Sequence, residues 1–232
     1  MYSLDVIVPF YNEENYLEES VKNLLSEKIH SKIYLVNNNS NDRSKEIALK
    51  LSKENEDIFY IETGITKGKG FGIQCAIESL ESTHTIIHDA DLEYFPKDIK
   101  KLREKSEEFK NAIILGSRFL GNAKRDNKYK RTIFANKFLS KFFSIIFNVK
   151  ITDISTCYKL LPNTYLKKMR LSENGFSIEI EMVAKYLKFA NPKVIEVPID
   201  YKGRTFEEGK KINVSDGINY ILKTIYYRFY KL

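Results

Sequence analysis

Over the first 120 residues, short apolar runs alternate with longer segments whose apolar positions recur at helical spacing. The series reads "LDVIVPF" then "EENYLEESVKNLLSEK", "SKIYLVN" then "DRSKEIALKLSKE", "IFYIE" then "GIQCAIESLES", "TIIH" then "PKDIKKLREKSEEF", and closes on "AIILGS". The two periods, two residues and 3.6, are not interchangeable without turning an apolar face into water. Repeated strand-helix units imply an α/β fold: a mainly parallel, Rossmann-like sheet with helices on both faces. Ligands in such sheets bind beyond the carboxyl ends of strands, where the strand order switches. The unusual residues fall there: "VPFYNEE", "VNNNSND", "HDADLEYF" and "GSRF" each follow a strand.

In "IIHDADLEYFP", residues 86 to 96, an apolar strand runs into Asp89 and Asp91. At a strand's period of two, both carboxylates point to one side and repel each other. A shared proton relieves this by raising one pKa, and a bound cation relieves it with both acids ionised. Paired hard oxygens suit Mg²⁺ or Mn²⁺, which keep several waters and take further ligands from substrate phosphates. Glu93 stands ready as a third oxygen, making Asp89, Asp91 and Glu93 the candidate metal ligands. Solvated acids, or the start of a helix near Pro96, are the plainer alternatives.

Length allows one large domain or two small ones. No repeat, low-complexity tract or linker divides the chain, so one domain with a C-terminal extension is expected, residues 1–120 forming one half and 121–232 the other. A net charge of +7 favours anionic partners. Cys75 and Cys157 make neither a disulfide framework nor a metal spacing, which fits a reducing compartment. With neither a charged leader nor an apolar run of about 20 residues, a cytoplasmic protein, soluble or surface-bound, is expected. No G-x-G-x-x-G follows the first strand, against a dinucleotide site. In "KGKGFG", residues 67 to 72, Gly68, Gly70 and Gly72 would let backbone approach a phosphate while Lys67 and Lys69 supply charge; a flexible lysine-rich turn is the alternative.

Taken together with "TDISTCYK" and "VPIDYKGRTFEEGKKI", these loops resemble the family 2 glycosyltransferases of GT-A fold, most nearly the dolichyl- or polyprenyl-phosphate sugar synthases. The likeness runs from "IVPFYNEE" through "DADLEYFPKDI" and "GSRFLG" to "EEGKKINVSDGI". It implies that Pro9, Tyr11, Glu13, Asn38 and Ala90 hold the nucleotide, and that Asp89 and Asp91 coordinate the metal bridging the donor diphosphate. It also implies that Arg118, Arg204 and Lys210 face phosphate, for which arginine's planar fork is suited. The donor implied is a GDP- or UDP-sugar, and the acceptor a polyprenyl phosphate or a glycan. One departure stands out. Where the family commonly reads V-D-D-G-S, this chain has Asn37 and Asn38, and an amide donates as well as accepts hydrogen bonds.

The chemistry implied is a single inverting displacement, with Asp91 and Arg118 neutralising the departing diphosphate. A hydroxyl acceptor needs a general base, for which Asp153 is the candidate and Glu179 and Glu181 the reserves. A lipid phosphate, with a second pKa near ~6, needs none. In "KYKRTIFANKFLSKFFSIIFNVK", Lys130, Lys137, Lys141, Ser144 and Asn148 share one face while Ile133, Phe138, Leu139, Phe142, Phe143, Ile146 and Phe147 spread over the rest. Such a helix fits a membrane interface, a packed core or a dimer contact, and Arg131 at its start is a candidate for an acceptor phosphate. "GINYILKTIYYRFYKL" is similar, with a stripe of Ile218, Ile221, Leu222, Ile225 and Phe229. Peripheral membrane contact is therefore expected. Transfer to a glycan or glycolipid hydroxyl, and a non-catalytic nucleotide-binding or membrane scaffold, are the rival readings. Nucleic acid ranks last, because the basic clusters do not interleave with exposed aromatics along a groove.

Overall fold

The computed structural model describes residues 2–126, 129–205, 207 and 214–231. The elements run β1 (Leu4–Phe10), α1 (Leu17–Ser26), β2 (Lys32–Asn37), α2 (Ser44–Glu54), β3 (Ile58–Glu62), α3 (Lys69–Ile77), β4 (His84–Ile87), α4 (Ile99–Glu108) and β5 (Ile113–Ser117). They continue with β6 (Arg125–Asp126), α5 (Lys130–Phe147), β7 (Lys159–Pro162), α6 (Asn163–Lys168), α7 (Ile178–Tyr186), β8 (Val194–Pro198), β9 (Tyr201–Lys202) and α8 (Val214–Phe229).

One seven-stranded sheet, in the order β3-β2-β1-β4-β7-β5-β8, carries the fold. It is α/β and mostly parallel, as the alternation requires. β1 pairs in parallel with both β2 and β4, and β5 with β8. β7 alone runs antiparallel, wedged between β4 and β5. Every residue of β1, β4 and β5 is buried, the signature of strands covered on both faces. α1 buries Leu17, Val21 and Leu24, and α4 buries Ile99 and Leu102, each at helical spacing. β1 lies between β2 and β4, so the switch in strand order falls at the carboxyl ends of β1 and β4.

β4 ends at Ile87, two residues before Asp89. Strand alternation therefore does not aim the two acids. They sit in the following turn, where Leu92 takes a left-handed φ of 60°. β7, β8 and β9 are absent from the sequence reading. β6 and β9 form a two-stranded ribbon, and Tyr94 bridges to Tyr201, which draws the chain after β8 back over the β4 turn.

α5 and α8 pack on each other and split their apolar residues between two environments. Leu139 and Phe143 of α5 and Tyr220 and Tyr227 of α8 are buried, whereas Phe134, Phe138, Ile145, Ile218, Leu222, Ile225 and Phe229 are exposed. Ser144, expected among the lysines, instead faces inward: its hydroxyl donates to Ser140 O at 2.8 Å and accepts from Ile151 N at 3.1 Å. Among the described residues, no helix is long and apolar enough to cross a membrane.

Candidate active site

At the carboxyl ends of β1, β2 and β4 opens a cavity of about 220 Å³. Pro9, Tyr11 and Glu13 reach it from the β1 loop, Asn38 from the β2 loop, and Asp89, Ala90, Asp91 and Glu93 from the β4 turn. Arg118 enters after β5 and Arg204 after β9. Ten residues singled out from separate stretches of sequence thus share one wall-to-wall site.

The two acids of D-x-D have separate partners. Lys69, at the first turn of α3, lies 2.7 Å from Asp89 Oδ1. Arg204 reaches Asp91 Oδ2 at 3.0 Å with one amino group and Glu13 Oε2 at 3.0 Å with the other. Burial alone would raise Asp89, but the Lys69 ammonium holds it below the usual carboxylate range. Asp91 goes the other way: burial and the carboxylates of Glu93 and Asp89 push it up to about 8, with Arg204 offsetting only part. The Asp91 side of the cavity is therefore short of positive charge.

Three of the expected site residues have other partners or lie elsewhere. Glu93 does not join the two aspartates as a third open oxygen, since Oε2 accepts from Tyr201 OH at 2.6 Å and Oε1 from Arg204 N at 2.7 Å. It ties the β9 strap to the β4 turn, and among the described residues no group of three His, Cys, Asp or Glu side chains forms a metal cage. Asp153 is wholly buried, and both its oxygens are taken by the Arg118 fork at 2.7 and 2.8 Å, with Arg118 N adding a third bond at 3.0 Å. A carboxylate so engaged orients an arginine, and Asp153 does not line the cavity in which a substrate would sit. Arg131 is exposed on α5 and does not line the cavity, so it is not brought together with Arg118. Lys210 lies outside the described residues.

The reserve acids part company. Glu181 accepts from Ser172 N and Glu173 N and pairs with Lys185 at 2.7 Å, so it anchors the loop before α7. Glu179 faces the cavity, 2.8 Å from Lys69. The glycine-rich turn, whose Gly68 and Lys69 line the cavity, also packs closely on a neighbouring loop. A Cβ on Gly70 would stand 2.0 Å from Glu173 O, and one on Gly68, whose φ is +105°, 2.8 Å from Asn174 O. The glycines let α3 dock on the 173–175 loop, where Phe71 N donates to Asn174 O at 3.0 Å, and so set the origin of Lys69.

Asn37 has a local reason to be an amide. Its Nδ2 donates to Tyr60 OH at 3.1 Å and to Glu62 Oε2 at 3.3 Å, where a carboxylate would face Glu62 with like charge. Glu179, a reserve base in the sequence reading, does line the cavity, whereas Phe176, Tyr201 and Tyr220 were not anticipated there. "KGKG" ahead of a helix was a usable signal for Lys69, but nothing in the local pattern marks Tyr220.

The sheet order and the site at its switch point are those of a GT-A glycosyltransferase. The chain belongs to glycosyl transferase family 2, which it matches over residues 5–170. Among curated relatives, two dolichyl-phosphate beta-glucosyltransferases of Trichomonas vaginalis are 28% and 27% identical, over 91% and 90% of this chain and 68% of each relative. Among solved structures, glucosyl-3-phosphoglycerate synthase from Mycobacterium tuberculosis, in complex with Mn²⁺, UDP-glucose and phosphoglyceric acid, superposes with a TM-score of 0.71. It is 13% identical, over 98% of this chain and 79% of that one, a likeness of fold.

Proposed function

We propose that this glycosyltransferase moves a hexose from a nucleoside-diphosphate sugar to a polyprenyl phosphate at a membrane surface, with a divalent metal and with inversion at the anomeric carbon. The observation that carries the donor half is the cavity itself: two half-buried carboxylates, one of them pushed up to about 8, stand beside Arg204 and Arg118. That donor set fits a hard divalent cation whose remaining ligands are diphosphate oxygens and water. Asp89 and Asp91 would hold it, and when bound it supplies Lewis-acid neutralisation of the leaving diphosphate.

The chain's own residues do the rest. Pro9, Tyr11, Glu13, Asn38 and Ala90 seat the nucleotide. Arg204 is anchored through its backbone to Glu93, and its guanidinium, paired with Asp91 and Glu13, would face a diphosphate oxygen of the donor. Arg118 is held rigid by Asp153 and presents a fixed positive charge to the acceptor side. Preorganised charge of this kind is worth about 2.7–4 kcal/mol of barrier per donor. We assign residues 1–120 mainly to the donor and 121–232 to the acceptor, with Glu179, Arg204 and Tyr220 crossing into the shared cavity.

A lipid phosphate acceptor suits a site from whose lining Asp153 and Glu181 are absent and in which Glu179 is paired with Lys69 and Lys159, because an ionised phosphate attacks without a base. The names of the Trichomonas relatives support it. So does the paired α5–α8 surface, where exposed Phe134, Phe138, Leu222 and Phe229 are interspersed with Lys130, Arg131, Lys137 and Lys141, a combination that fits an anionic bilayer at ~1 kcal/mol per basic residue. The test has two stages. Melting with UDP, GDP, CDP and dTDP, each with and without Mn²⁺, identifies the nucleotide, since a ligand at 100 times its Kd stabilises by ~2.7 kcal/mol. Transfer is then measured from the matching sugar nucleotide to a short-chain polyprenyl phosphate and to the dephosphorylated alcohol. Product only with the phosphate is expected, and product with the alcohol alone would move the assignment to a hydroxyl acceptor.

A further inference from the structure

Beneath the cavity lies a buried charge that the proposed reaction does not use. Lys159, the first residue of β7, is fully buried, and its ammonium donates to Glu179 Oε2 at 2.5 Å, to Ile154 O at 3.1 Å and to Thr156 O. All three of its donors are thereby satisfied. It is not part of the cavity lining. Glu179 is, and its Oε1 lies 2.8 Å from Lys69, which in turn lies 2.7 Å from Asp89. Four charges of alternating sign, from β7, α7, α3 and the β4 turn, thus run in file from the core to the D-x-D acid.

A lysine has a compact charge on a flexible four-carbon stem, so a single acid does not fix its place. Two acids on opposite sides do, provided each is itself held. Asp89 is confined by the β4 turn. Glu179 is confined by Lys159, because without that ammonium both of its oxygens are free to turn onto Lys69 and draw it away from Asp89.

We propose that Lys159 is a positioning residue for the donor site: by fixing Glu179 from behind, it completes a two-sided clamp on Lys69 and so presents Asp89 in the orientation in which metal and nucleoside diphosphate engage it. This rests on the metal-dependent donor binding proposed above. The arrangement works as a second layer of support, for which loss of a partner costs about 10–100-fold in metal affinity.

The test is a cycle on the full chain: wild type, Lys159→Met, Glu179→Gln and the double variant. Each is melted without ligand and titrated with Mn²⁺ and UDP, or with GDP if the nucleotide panel selects it. Asp91→Asn serves as the control for the donor reading. If wild type does not bind nucleotide with metal, or Asp91→Asn binds as well as wild type, the donor reading falls and the proposal with it. Given metal-dependent binding, Lys159→Met and Glu179→Gln are each expected to raise Kd by about tenfold or more, and the double variant to be no weaker than Glu179→Gln alone, as coupled residues require. Removing both charges is expected to recover the ligand-free melting temperature without recovering Kd. Should Lys159→Met fail to fold, the comparison of Glu179→Gln with the double variant still decides. Wild-type affinity in either Lys159 variant, or a further loss in the double that adds to that of Glu179→Gln, overturns the proposal.

Discussion

The two ends of the sheet are built by different rules. In β3-β2-β1-β4 the chain steps outward strand by strand from β1 to β3 and then returns to place β4 on the other side of β1; each strand is parallel to the next, and each delivers its loop to the same edge. In β7-β5-β8 the order departs from the chain, an antiparallel strand is wedged in, and the residues reaching the cavity come from scattered segments, among them Arg118, Cys157, Glu179, Arg204 and Tyr220. The first end seats its site residues through backbone continuity. The second seats them with buried ion pairs: Arg118 on Asp153, Lys159 on Glu179 and Lys185 on Glu181. Local periodicity places a loop, whereas a side chain arriving from afar must be pinned by a partner in the low-dielectric interior.

The contrast can be broken most severely at Asp91. Asp91→Asn is expected to lower transfer by ~10²–10³-fold, the scale of losing one preorganised electrostatic group, without destabilising the ligand-free protein. The sign follows from the shift. A carboxyl pushed up to about 8 when folded, against ~3.9 when unfolded, binds its proton more tightly in the native state. Its stabilising contribution is full below ~4 and is lost as the pH climbs to 8. Melting at pH 5 and pH 8 should therefore show Asp91→Asn gaining on wild type at the higher pH, and an unchanged difference would refute the buried, charge-poor environment assigned to it.

Next in size is the pinning itself. Asp153→Ala leaves Arg118 buried and uncompensated, which costs ~3–5 kcal/mol by urea unfolding. At the parallel end, Glu18→Ala removes a pair with Lys22 that is exposed on both sides and should leave the urea midpoint essentially unchanged. Equal losses would erase the distinction drawn between the two ends. Gly70→Ala probes the joint between them, where the added methyl meets Glu173 O at 2.0 Å; a loss of ~1–3 kcal/mol is expected, accompanied by weaker nucleotide binding as Lys69 shifts. Smallest in stability are Phe138→Ser and Leu222→Ser on the outer faces of α5 and α8, each within ~0.5 kcal/mol of wild type. Their effect should appear in flotation with anionic vesicles, and undiminished binding by the paired variant would remove this surface from the membrane contact.

Legibility followed the same divide. The strands and helices from β1 to β5 could be read from alternating periods, and the loops after β1, β2, β4 and β5 announced themselves by polar residues at strand ends. "CYKLLP" could not be read as a strand between β4 and β5, because a four-residue apolar run says nothing of its partners or direction. Asp153 looked like a free acid in "TDISTC" because sequence does not show Arg118 lying against it. Glu93 looked like a metal ligand for the same reason, its true partners Tyr201 and Arg204 lying more than a hundred residues away. Gly68 and Gly70 signalled close approach correctly, but not what approaches.

By itself, then, the order of residues determined the α/β architecture and the edge of the sheet at which the loops bearing Asp89, Asp91 and Arg118 gather, because secondary-structure period and strand-end polarity are local properties; Arg204 was expected there only through the family resemblance. Only the tertiary structure decided which acids are open and which are engaged, which lysines reach the cavity and which serve it from behind. Those outcomes depend on burial and on partners distant in the chain, and the energy of a buried charge is set by what stands within a few ångströms of it.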